Sequence, residues 1–182
     1  MIFHTGTKTS KTEYDDQGNI KKDTDINGNV TVYTYNNQVN PNLVTKEKTT
    51  KEGTLLSDTN YTYDSTGRVT EEEDFIGNQV SLYTYTDDAE GIKKSTIKKE
   101  EGQKVSTSKE NYDVEGNLLT EENEIGGIET SSENEYDEMG NLLKTVNSDG
   151  SKTVYTYDFI GRVLKEQSYD KDGEIIQTKL WL

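Results

Sequence analysis

The chain has no cysteine, a single histidine and a single proline. Without cysteine there is no disulfide framework and no thiolate metal site. The one histidine, His4, sits near a terminus with no fixed carboxylate partner, so it offers neither a catalytic triad nor a metal centre. Long apolar runs are missing as well. Nothing approaches the roughly 20 apolar residues of a membrane span, and Met1-Ile2-Phe3-His4-Thr5-Gly6 turns polar too soon for a signal peptide. A basic surplus is also lacking: 35 acids face 20 bases, a formal charge of -15. Phosphate backbones and anionic membranes need clustered Lys and Arg, so nucleic acid and membrane insertion are excluded as partners. Local Lys pairs such as Lys98-Lys99 are followed at once by Glu100-Glu101.

Only 29% of the residues are hydrophobic and 30% are charged, which by itself resembles a disordered chain. Two features oppose that reading. There are 12 tyrosines, and the turn signals are evenly spaced.

One motif recurs: Tyr-Asp, two variable residues, Gly, then Asn or Arg, then an aliphatic. It begins at Tyr14-Asp15, Tyr63-Asp64, Tyr112-Asp113, Tyr136-Asp137 and Tyr157-Asp158, with a weaker copy at Tyr169-Asp170. A second set of turns lies between these copies, as at Asn27-Gly28-Asn29, Glu52-Gly53, Glu101-Gly102 and Gly126-Gly127. With the Asn40-Pro41-Asn42 turn included, the turns advance in steps of 10 or 11 residues alternating with 14, until the rhythm breaks after Gly150. Such a step holds one strand of ordinary length and a short loop. The glycines supply the positive φ that tight hairpins need.

The intervening residues alternate and are β-formers, as in Val30-Thr31-Val32-Tyr33-Thr34-Tyr35. No segment carries a helical apolar stripe. The expected fold is all-β: an antiparallel meander of roughly a dozen strands, in one continuous array over residues 1–182, curled or spiralling because so many twisted strands rarely stay flat. The array opens mid-repeat, which suggests a piece of a longer protein.

Tyrosines two apart project to one side of a strand. The pairs Tyr33 and Tyr35, Tyr61 and Tyr63, Tyr83 and Tyr85, and Tyr155 and Tyr157 are therefore expected to form a tyrosine-rich seam, joined by Ile20, Val69, Leu118, Leu142 and Val163. That ladder is either structural filling or a binding face for glycan or protein. The segment Thr45-Lys46-Glu47-Lys48-Thr49 is expected to lie on the opposite, solvated face.

The unit Tyr-Asp-x-x-Gly-Arg-Val, a polar strand, a Gly turn and Tyr-Thr-Tyr-Asp, best seen from Gly140 to Val163, resembles the YD repeat of RHS proteins. That family includes bacterial RHS and wall-associated polymorphic toxins, insecticidal toxin-complex subunits and teneurins. The resemblance covers residues 14 to 176. It implies a β-sheet that winds into a hollow shell, often around a C-terminal cargo domain, and some such repeats have been described as carbohydrate-binding. It also implies a secreted or cell-surface setting, with flanking repeats, a cargo domain, glycan or cell wall as partners. This chain is too short to close such a shell. With Pro41 as its sole proline it lacks the self-cleavage motif that ends RHS cores.

Other candidates carry less. Glu71-Glu72-Glu73-Asp74 and Glu121-Glu122 follow the repeat and read as solvated strand faces, where glycoside hydrolysis needs two carboxyls set across a cleft. Asp170-Lys171-Asp172-Gly173 resembles part of a calcium loop, but Ser168 and Lys179 stand where that loop needs acids. No catalytic residue, cofactor or metal ligand is therefore assigned. An array cut at both ends exposes two strand edges, so self-association is expected as a hazard.

Overall fold

The computed structural model describes residues 9–181; His4 and the other residues of the N-terminal hexapeptide lie outside them. Among the described residues there are fifteen strands, somewhat more than the dozen expected, and no helix. They are β1 (Lys11–Tyr14), β2 (Ile20–Thr24), β3 (Asn29–Thr34), β4 (Lys46–Lys51), β5 (Thr54–Tyr63), β6 (Val69–Asp74), β7 (Gln79–Asp88) and β8 (Gly91–Glu100). They continue as β9 (Gln103–Tyr112), β10 (Leu118–Ile125), β11 (Ile128–Tyr136), β12 (Leu142–Asn147), β13 (Lys152–Tyr157), β14 (Val163–Tyr169) and β15 (Ile175–Leu180). The strands hydrogen-bond in sequence order from β1 to β15 in one sheet.

The residues fall into two compact units, Met1–Leu82 with Lys98–Gln103, and Tyr83–Ile97 with Lys104–Leu182. Within each, no hydrophobic side chain among the described residues is buried; the buried polar residues are Thr59 and Thr96. A sheet without a buried apolar layer draws its cohesion from backbone ladders, cross-strand side-chain pairs and well-made turns.

Two kinds of turn do this work. The tight hairpins Glu52-Gly53 and Glu101-Gly102 place both residues at positive φ (49° and 84°; 50° and 79°), as does Gly126-Gly127. Two successive positive φ values match the right-handed twist of the flanking strands.

The wider turns are clamped by an aspartate. In the first, Asp15 N–H donates to the Asn19 carbonyl and Gly18 N–H to the Asp15 carbonyl. Asp15 Oδ1 accepts the amides of Gln17 and Asn19, each at 2.9 Å, and its Oδ2 accepts Asn19 Nδ2. The pattern repeats at Asp113 with Asn117, and at Asp137 with Asn141. In Asp64 with Arg68 and Asp158 with Arg162, the guanidinium Nε replaces the amide, at 2.8 and 2.7 Å. The Asp25 turn uses the same clamp through Asn29 without a preceding tyrosine.

After each Tyr-Asp turn the register slips by one residue. Tyr14 pairs with Ile20 while Glu13 pairs with Lys22, leaving Lys21 as the bulged residue. The same step leaves Thr70, Leu119, Leu143 and Leu164 as extra residues. A bulge of this kind lets the strand re-aim as it leaves the turn.

Candidate functional site

The eight tyrosines of the expected ladder are all half-buried. The register sets other residue types directly opposite several of them. Tyr33, Tyr61 with Tyr63, Tyr83 with Tyr85, and Tyr155 with Tyr157 lie on β3, β5, β7 and β13, all odd-numbered strands, and Tyr35 lies just past the end of β3, so an even strand intervenes and supplies the cross-strand partner. Tyr33 stands opposite Glu47, Tyr61 opposite Glu72 and Tyr155 opposite Glu166. Tyr83 has Lys94 Nζ 5.8 Å from its ring centroid, and Lys94 in turn meets Glu110 at 2.9 Å. The expected placement of Thr45–Thr49 is corrected by the same register. Glu47 and Thr49 share the tyrosine side, since Tyr33 pairs with Glu47 and Thr31 with Thr49, the last two joined through their hydroxyls. Only Lys46 and Lys48 point the other way.

The hydroxyls explain the spacing of the repeat. Tyr35 Oη donates to the Ile20 carbonyl at 2.9 Å, Tyr136 to Leu118 at 2.9 Å and Tyr157 to Leu142 at 2.8 Å, while Tyr63 donates to Val44. In each case the acceptor is the aliphatic residue that follows the preceding turn, so the tyrosine of one repeat ties down the turn of the one before it. Tyr112 departs, donating to Glu110 Oε2. Tyr14, in the first described strand, is 61% exposed.

Burial raises the pKa of Tyr33 and Tyr61, helped for both by Glu47 and for Tyr61 by Glu72. Burial also raises those of Tyr35, Tyr63 and Tyr157. The clamp aspartates shift the other way. Bonds from Asn117 and Asn141 hold Asp113 and Asp137 below the ordinary carboxylate range, and bonds from Asn29 and Arg162 do the same for Asp25 and Asp158. Asp64 is lowered most, by the Thr66 hydroxyl and Arg68. For Asp15, desolvation pushes upward and the Asn19 and Gln17 bonds outweigh it.

The remaining sequence candidates resolve into sheet surface. Glu71 to Asp74 lie along β6, where alternate side chains take opposite faces. Glu122 pairs with Lys109 across β10 and β9. Asp170 Oδ1 accepts the amides of Asp172 and Glu174, the ordinary clamp of this chain, and Lys171 lies against Asp172. Among the described residues no three His, Cys, Asp or Glu side chains converge as a metal site, and no helix is long and apolar enough to cross a membrane. Open grooves lie between neighbouring clamped turns. One of about 890 Å³ is bordered by Glu115, Leu119, Tyr136, Glu138 and Met139.

The aspartate clamp and its Asn or Arg partner were not anticipated from sequence. The signal was present: Asp recurs immediately after Tyr, and Asn or Arg recurs four residues later. This frame of Tyr, Asp, Gly and Asn, followed by an aliphatic that receives the next tyrosine, has a counterpart among known families. The RHS Repeat family profile matches residues 14–55. Over those residues the chain resembles the RHS repeat.

Solved structures agree on the fold of the whole array. The crystal structure of TcdB2-TccC3 superposes with a TM-score of 0.72 at 17% identity, over 94% of this chain and 10% of that one. TcdB2-TccC3-Cdc42 gives 0.71 at 17%, with the same coverage. TcdB2-TccC3 without its hypervariable C-terminal region gives 0.70 at 17%, over 94% of this chain and 9% of that one. The array thus spans about a tenth of these three chains. A sequence search of curated proteins finds no match.

Proposed function

We propose that this RHS array is a non-enzymatic structural module, a stretch of β-sheet wall serving as shell, spacer or scaffold in a secreted or surface-displayed bacterial protein. Its partners would be flanking repeats or a cargo domain of the parent protein. The observation that carries this reading is the chain of tyrosine hydroxyls bonded to the backbone of the preceding turn. Each repeat is fastened to its neighbour by groups that a binding face would need to keep available. The likeness to a small fraction of much longer chains supports the same view.

A face that binds glycan or protein is the second reading, supported by the half-exposed rings of the eight paired tyrosines. Against it, Tyr35, Tyr63 and Tyr157 already have their hydroxyls engaged.

A truncation series separates the two. Chains ending at Tyr136, Tyr157 and Leu182 should show urea midpoints that rise with each added repeat, because a repeat array gains stability from neighbour contacts, and none should bind glycan. A glycan-array signal abolished by Tyr155→Ala with Tyr157→Ala, with circular dichroism unchanged, would overturn the wall reading.

A further inference from the structure

In a meander, the loops from odd to even strands all emerge at one edge of the sheet. In the unit of Tyr83–Ile97 with Lys104–Leu182, three successive clamped turns on that edge carry an apolar residue at one or both variable positions: Val114 beside Glu115, Met139 beside Glu138, and Phe159 with Ile160. Val114 is 67% exposed, Met139 66%, Phe159 90% and Ile160 58%. Behind each apex lies a bulged, part-exposed leucine: Leu119, Leu143 and Leu164. The turn needs none of these side chains, because the clamp uses only the aspartate, the glycine and the Asn or Arg. In the other unit, Tyr-Asp turns of the same geometry hold Asp16-Gln17 and Ser65-Thr66, with Lys21 and Thr70 at the bulges. The apolar row is therefore a local addition.

We propose that this row is a docking surface for an amphipathic, basic α-helix of a partner protein. Spacing selects the helix. Successive apices lie two strands apart, about 9.6 Å at ordinary sheet spacing. A helix rises about 10.5 Å in seven residues. An extended strand returns a side chain to the same face only every 6.6 or 13 Å or so, out of step with the row. Charge selects the flanks. Exposed Glu115 and Glu138 sit beside Val114 and Met139, and the groove between those turns is bordered by the same two acids. Lysine or arginine on either side of the partner's apolar stripe would meet them. The inference stands apart from the wall reading, since a wall segment with a bare edge would still be a wall segment.

The test uses the full chain and a labelled 21-residue helical peptide, with leucine or phenylalanine at heptad positions and lysine on the flanks. Fluorescence anisotropy should show saturable binding. The variant carrying Val114→Ser, Met139→Ser, Phe159→Ser and Ile160→Ser should bind at least tenfold more weakly, with circular dichroism and urea midpoint unchanged. Glu115→Lys with Glu138→Lys should weaken binding severalfold and flatten its salt dependence. No saturable binding, equal binding by the four-serine variant, or equal binding of a scrambled peptide would each overturn the proposal. So would a dimer in sedimentation that the four serine substitutions abolish, because the row would then be covered by a second copy.

Discussion

The two units build the same turn and dress it differently. Asp15 and Asp64 in the first, and Asp113, Asp137 and Asp158 in the second, hold their loops by one scheme: Oδ1 on the amides two and four residues ahead, Oδ2 on the side chain of the latter. At these Tyr-Asp turns the first unit fills the free positions with Asp16, Gln17, Ser65 and Thr66, the second with Val114, Glu115, Glu138, Met139, Phe159 and Ile160. Backbone geometry thus leaves two positions per repeat open to other demands. At the Tyr-Asp turns the first unit meets solvent with polar residues alone, and the second sets exposed apolar residues beside two glutamates. The hairpins differ too. The first unit forces Glu52 and Glu101 to positive φ, where the second uses Gly126 and Gly127.

The largest test of this comparison lies at a glycine without an equivalent. A Cβ at Gly91 would stand 1.9 Å from the Tyr112 carbonyl oxygen and 2.8 Å from the Asp113 carbonyl carbon, whereas at Gly18 it meets nothing within 4 Å. Both φ values are positive, 137° and 88°. Gly91→Ala should cost about 3 kcal/mol or more, from overpacking added to left-handed strain. Gly18→Ala should cost about 1 kcal/mol from the strain alone. Equal urea midpoints for the two variants would break the distinction.

Acid should then act on both units together. Asp25 and Asp64 in one, and Asp113, Asp137 and Asp158 in the other, have folded pKa values below the unfolded one. Their stabilisation is present above the unfolded value, about 3.9, and is lost as the pH falls through the depressed folded values. Thermal melts between pH 5 and pH 2 should show falling stability in both units. A unit whose melting does not respond would show that its clamps are dispensable.

Removing one tyrosine hydroxyl from each unit comes next. Tyr63→Phe and Tyr157→Phe should each cost about 1 kcal/mol, the net worth of one hydrogen bond, because Val44 and Leu142 lose their donors. A clear inequality would mean that the two units rely on this tie to different degrees. The smallest effect belongs to the hairpins. Glu52→Asn should stabilise by about 0.5 kcal/mol, since asparagine tolerates positive φ better than glutamate does, and a destabilising result would show that Glu52 makes compensating contacts.

Much of the fold was readable. Gly18, Gly67, Gly116, Gly140 and Gly161 lie in the turns that their spacing predicted, each at positive φ, because few other residues tolerate that conformation. The strands between them follow from alternating Thr, Val and Tyr. The tyrosine pairs were legible as pairs but their neighbours were not. A period of two assigns a face within a strand and says nothing about which residue the next strand brings opposite. The one-residue bulges at Leu119, Leu143 and Leu164 shift that register after every Tyr-Asp turn, and even strands place Glu47, Glu72 and Glu166 where a second ring was expected.

By itself the amino-acid order determined where the chain reverses and which segments extend, because left-handed φ and β-branching are properties of single residues and their near neighbours. Only the tertiary structure decided what each tyrosine hydroxyl meets and which apolar residues line one edge together. Those contacts join residues such as Tyr157 and Leu142, 15 apart in the chain, and depend on the register between strands, which hydrogen bonding sets across the sheet.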